Sequence, residues 1–107
     1  MSYRYMRIMI FYDLPFGTKI NVHDYNNFRN GLIKEGFSMI QYSIYTKICP
    51  NEQAARFIED RVEKIVPKHG NIRMMTVTEK QYQKIKVLRG KKTEQELIIN
   101  DRRYIEI

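Results

Sequence analysis

Cysteine is nearly absent. The single Cys49 among 107 residues excludes an internal disulfide, so the fold does not depend on an oxidising compartment. Neither His23 nor His69 lies near it in sequence, which leaves Cys49 as a small buried hydrophobe rather than a reactive thiol. The two histidines also lack the cysteine or carboxylate spacing of a zinc site and read as surface residues. No Gly-rich phosphate loop is present, because GLIKEG at 31–36 lacks the Lys-Ser ending and closes a helical pattern instead of opening one. No apolar run approaches the roughly 18 residues of a membrane-spanning helix, and the start of the sequence has no signal-peptide core. A cytoplasmic protein with no membrane contact is the expectation. Internal repeats and low-complexity tracts are missing too, and 107 residues suit one domain, 1–107, which excludes a multidomain enzyme.

What is present is globular: 43% apolar and 29% charged residues, with 8 Tyr and 5 Phe. Residues 5–13, YMRIMIFYD, are nearly all β-branched, aromatic or methionine and run into Pro15 and Gly17. They predict a central strand covered on both faces. From Val22 to Glu35 the period changes to 3.6, with Tyr25, Phe28 and Leu32 on a stripe widened by Ile33 and Gly36 as C-terminal cap. FSMIQYSIYTKI at 37–48 returns to strand composition, as two short strands or one bent one. EQAARFIEDRVEKIV at 52–66 predicts a second helix, with Asn51 as N-cap, Ala55, Ile58, Val62 and Ile65 inward, and Arg56, Glu59, Asp60 and Glu63 as solvated surface. NIRMMTVT at 71–78 is a further strand.

The order β-α-β-β-α-β is the ferredoxin-like plan, an α+β sandwich of an antiparallel sheet with two helices on one face. Its other face needs a cover, and self-association is the simplest one. Residues 80–107 form a basic segment and a C-terminal extension, in which Leu97, Ile98, Ile99, Tyr104, Ile105 and Ile107 suit an extra strand added to a sheet edge. Met6, Met9, Met39, Met74 and Met75 read as core filling.

Acidic residues are scarce where it matters most. The net charge is +7, and residues 80–92 hold six basic side chains, Lys80, Lys84, Lys86, Arg89, Lys91 and Lys92, with no carboxylate between them. Such a field suits phosphate oxygens and gives affinity without reading sequence. The competing reading is a solvated face that aids solubility.

Asp13 is the residue with chemical interest, because it ends an apolar strand at the Tyr-Asp-Leu-Pro break. It either caps the turn through an Asx interaction or serves as a ligand to a hard cation such as magnesium. One aspartate per chain makes a weak site. Two copies across a dimer axis make a stronger one, able to activate water for phosphodiester hydrolysis. Ser43 joins it as a residue that orders a metal-bound water if its strand pairs beside Asp13.

The strand-Asp-Pro opening MRIMIFYDLP, the segment GFSMIQYSIY at 36–45 and the segment GNIRMMTVTEKQY at 70–82 together resemble the small CRISPR-associated adaptation proteins, the second of the two universal spacer-acquisition subunits. This family is also described as CRISPR-associated endoribonuclease. The resemblance covers essentially the whole chain, and the last of these segments looks especially like members from systems with a single large RNA-guided nuclease. It implies a ferredoxin-like fold and a symmetric homodimer with sheets packed face to face, the strand at Leu97 to Ile107 extending onto the partner's sheet. It implies a larger integrase subunit that performs insertion, with the dimer as bridge and as platform for duplex DNA. Phosphate contacts would come from residues 80–92 together with Lys19 and Arg29. It also aligns Asp13 with an aspartate credited, in some members, with metal-dependent cleavage of RNA or DNA. A ribonuclease of similar fold that acts without an integrase is the remaining alternative.

Overall fold

The computed structural model describes residues 5–13 and 19–90. Strand β1 (Met6–Asp13) is followed by helix α1 (Lys19–Lys34), the hairpin β2 (Ser38–Gln41) and β3 (Ile44–Cys49), helix α2 (Glu52–Glu63), strand β4 (Asn71–Thr78) and the single-turn helix α3 (Glu79–Tyr82). The four strands form one sheet in the order β2-β3-β1-β4. β1 pairs antiparallel with β3 on one side and with β4 on the other. This is the α+β, ferredoxin-like arrangement that the element order predicts.

Alternation along β1 divides the sheet into two unlike faces. Ile8, Ile10 and Tyr12 face the helices and form the core with Phe28 and Leu32 of α1, Tyr45 and Cys49 of β3, Ala55 and Val62 of α2, and Phe37. Arg7, Met9, Phe11 and Asp13 have the opposite parity. Among the described residues of one chain, α3 covers only the Arg7 end of that second face, so β1 is central, as expected, and covered on both faces there. Met9, Phe11 and Ile44 are half-buried there, and Met75 is half-exposed.

Local signals set the element ends. Asn51 has extended backbone, and its side chain accepts the Ala54 N–H at 2.8 Å, which caps α2. Gly36 takes φ +95°, a left-handed conformation in which the Gly36 and Phe37 N–H groups donate to the Ile33 and Leu32 carbonyls and close α1. Helix α1 begins three residues before the expected Val22. Helix α2 stops at Glu63, ahead of the expected Val66, because Lys64 and Ile65 turn back to the Arg61 and Val62 carbonyls.

Several side chains depart from their expected settings. Ile33 is exposed and does not widen the core stripe of α1. Met6 and Met74 pack on the core, whereas Met39 lies on an edge strand and Met75 on the open face. Glu59, expected in solvent, is half-buried and accepts the Thr76 hydroxyl at 2.6 Å, which ties α2 to β4. Cys49 is buried, and burial pushes its thiol pKa up. The expected C-terminal strand lies outside the described residues.

Candidate functional site

The exposed carboxylate of Asp13 stands at the end of β1, on the open face. In register it faces Asn71 of β4, and Arg73 sits opposite Phe11 two positions further along that strand. Asp13, Asn71 and Arg73 therefore share one face and one end of the sheet, as direct and diagonal cross-strand neighbours about 5 to 8 Å apart. Neither the Asp13 carboxylate nor the Arg73 guanidinium makes an ion pair with a described residue. The turn that Asp13 would cap through an Asx interaction falls in residues 14–18, outside the described residues.

Ser43 arrives at the same end by way of the β2–β3 hairpin. Its carbonyl accepts the Tyr12 N–H at 3.0 Å, one residue short of Asp13. Its φ of 67° marks a left-handed turn residue. The contact with β1 is thus through the backbone of Ser43. Among the described residues no group of three or more His, Cys, Asp or Glu gathers into a metal-binding cluster, so one chain supplies the single Asp13 carboxylate. That carboxylate is a hard oxygen donor, exposed and without an ion pair among the described residues, and it fits magnesium as one ligand among waters and phosphates.

The basic segment starts from a fixed point. Arg7 is fully buried on the open face, and its guanidinium donates to both Glu79 carboxylate oxygens, from Nε at 2.8 Å and Nη2 at 2.7 Å. It lies over the Tyr82 ring at 4.2 Å from the centroid, and Nη1 reaches the Thr46 hydroxyl at 3.4 Å. A capping box holds α3: the Thr78 hydroxyl accepts from the Gln81 N–H while the Gln81 side chain accepts from the Thr78 N–H. Glu79, the acid nearest the cluster, is therefore already paired with Arg7 and does not offset the positive field that follows. Lys80, Lys84, Lys86 and Arg89 are exposed and make no ion pair among the described residues.

The remaining sequence-predicted residues do not join one site. Lys91 and Lys92 lie outside the described residues, and of Lys19 only its place at the start of α1 is described. Arg29 is half-buried on α1, on the helix side of the sheet. His23 and His69 are exposed as expected, and His23 hydrogen-bonds Asn27 at 3.0 Å. Sequence reasoning missed Asn71 and Arg73. The alternation of exposed Asn71, Arg73 and Met75 with half-buried Ile72 and Met74 in β4 is the signal that identifies their face.

Among the described residues no helix is long and apolar enough to cross a membrane. Comparison with known proteins gives a consistent set of relatives. The family described as "CRISPR associated protein Cas2" matches residues 6–85. A protein of Ligilactobacillus salivarius called CRISPR-associated endoribonuclease Cas2 is 46% identical over 87 residues, 81% of this chain and 86% of its own. Proteins of the same name from Lacticaseibacillus rhamnosus and Treponema denticola are 41% and 44% identical, covering 79% and 83% of this chain and 84% and 89% of theirs.

Proposed function

The chain belongs to the Cas2 family of CRISPR-associated proteins, and from that premise we propose that it is a homodimeric subunit of spacer acquisition that holds nucleic acid by its phosphate backbone. The observation that carries this reading is the open sheet face. Among the described residues Met9, Phe11, Ile44 and Met75 lie on it without a layer of helices, and α3, the start of the basic segment, is tied to the sheet by Arg7 of β1. Two copies packed through that face bury its apolar strip and bring two basic segments into one assembly. The larger integrase subunit supplies the joining chemistry, and the dimer supplies spacing and charge.

A second activity is favoured by the exposed Asp13 carboxylate beside Asn71 and Arg73, and the relatives named endoribonuclease support it. Asp13 from each of two copies would hold magnesium, which when bound supplies an activated water for phosphodiester hydrolysis. Arg73 is then placed to neutralise phosphate charge, and the Asn71 amide to donate to a phosphate oxygen.

Both readings are tested with the purified protein, alone and with its integrase subunit, on short duplex DNA and single-stranded RNA across a salt series in chelator, before and after magnesium is added. Salt-sensitive binding to duplex DNA, strengthened by the integrase, supports the bridging subunit, and binding indifferent to salt contradicts it. Magnesium-dependent cleavage that Asp13→Ala abolishes while binding persists supports the nuclease. Cleavage unchanged by Asp13→Ala contradicts it.

A further inference from the structure

Four tyrosines form a connected ladder at the Asp13 end of the sheet. Tyr12, in the core, packs at a tilt of 33° against Tyr25 of α1, with centroids 5.0 Å apart, meets Phe28 edge-on at 5.1 Å and lies tilted 6.2 Å from Tyr45. The Tyr12 hydroxyl donates to the Tyr25 carbonyl at 3.2 Å, which fixes the rung next to the surface. Tyr25 in turn carries the Tyr42 ring, nearly parallel at 23° with centroids 6.2 Å apart. Tyr42 is the last rung, 62% exposed although it is a large aromatic ring.

Its location follows from the register. Phe11 faces Ile44 and the Tyr12 N–H donates to the Ser43 carbonyl, so Tyr42, the preceding residue of the β2–β3 turn, lies at the end of the sheet where Asp13 closes β1. The left-handed backbone of Ser43 breaks the strand alternation at that point. Tyr42 accordingly lies on Tyr25, on the helix side of the sheet end, while Asp13 has the parity of the open face. A dimer made through the open face leaves the Tyr42 ring accessible.

An exposed aromatic ring backed by Tyr25, at the same end of the sheet as the exposed Asp13 carboxylate and on a chain of charge +7, is suited to one ligand class. Bases free of a duplex stack on such rings whatever their identity, and basic side chains take the adjoining phosphates. We propose that Tyr42 is a stacking platform for an unpaired nucleobase, in single-stranded RNA, whose backbone passes the rim of the sheet at Asp13. Paired bases already occupy both of their faces, so the platform discriminates single strands from duplex. The inference rests on the nuclease reading of Asp13 for its choice of RNA, and it deepens that reading by naming what selects the strand.

The test uses a short single-stranded RNA carrying one 2-aminopurine, with the full-length protein in chelator so that no cleavage occurs. Wild type should bind and quench the fluorophore by stacking. Tyr42→Ala and Tyr42→Leu, the latter apolar but without a π face, should weaken single-strand binding roughly 5- to 100-fold and lose the quenching. Tyr42→Phe should stay within about twofold, and blunt duplex RNA should bind all four proteins alike. A single-stranded DNA of the same sequence bound as tightly, with the same dependence on Tyr42, identifies any unpaired base as the ligand and overturns the restriction to RNA. Unchanged affinity and quenching in both the Ala and Leu variants, or equal loss on duplex, overturns the platform. Magnesium-dependent cleavage measured in parallel separates the two readings: dependence on Tyr42 without cleavage sinks the nuclease alone, and cleavage that needs Asp13 without dependence on Tyr42 sinks the platform alone.

Discussion

Arg7 and Glu79, 72 positions apart, meet through two parallel hydrogen bonds of 2.8 and 2.7 Å, with the guanidinium fully buried and the carboxylate nearly so. This bidentate pair joins the first strand to the residue where the last described helix begins, and so fixes the point from which the basic segment leaves the sheet. Removing one partner leaves the other buried and uncompensated, whereas replacing both with apolar groups removes the desolvation problem together with the attraction. Arg7→Met should therefore cost about 3 kcal/mol or more of unfolding free energy by urea titration. The double change Arg7→Met with Glu79→Leu should recover much of that loss. A double variant as unstable as the sum of the singles would contradict the pairing.

The basic segment predicts a salt signature. Lys80, Lys84, Lys86 and Arg89 are exposed and unpaired among the described residues, so each that touches a phosphate releases counterions. Changing Lys84 and Lys86 to Gln should flatten the slope of log K against log salt for duplex DNA by about 0.9 for each phosphate that is no longer neutralised. The reduction should be the same for unrelated DNA sequences, since phosphate-directed lysines do not read bases. An unchanged slope would return the segment to solvated surface.

Alkaline pH should destabilise the protein. Burial pushes up the Cys49 thiol, and burial with the neighbouring Tyr25 and Tyr45 pushes up the Tyr12 phenol. Once pH passes the unfolded-state values, about 8.5 for cysteine and about 10 for tyrosine, the unfolded chain loses protons that the folded chain keeps. The folded form then binds more protons, and unfolding free energy falls as pH rises. Urea midpoints measured from pH 7 to 11 should decline above about pH 8.5, and Cys49→Ala should remove the earlier part of the decline.

Much of this fold was legible in local signals. The β-rich runs that became β1 and β4, the Asn51 cap and the left-handed Gly36 each carry their cause within a few residues. The one-turn helix α3 was missed, although Thr78 and Gln81 have capping-box spacing, because the run of charges after it obscured that signal. Burial was harder to read. Ile33 and Met75 look like core residues by composition and are exposed because of the faces on which their elements place them. Asp13 stood out at the end of its strand, whereas Asn71, Arg73 and Tyr42 become site residues only through strand register and the turn at Ser43. The Arg7–Glu79 pair is non-local altogether.

The open face is central, because both the paired Asp13 side chains and the joined basic segments depend on a second copy covering it. Light scattering on the purified protein at micromolar concentration, with Met75→Glu as companion, measures this directly. Wild type should show twice the 13.0 kDa of one chain, and Met75→Glu, which sets a carboxylate on the apolar strip, should show the mass of one chain with its far-ultraviolet spectrum intact. A wild-type mass of one chain, or a Met75→Glu variant that stays dimeric, would contradict it.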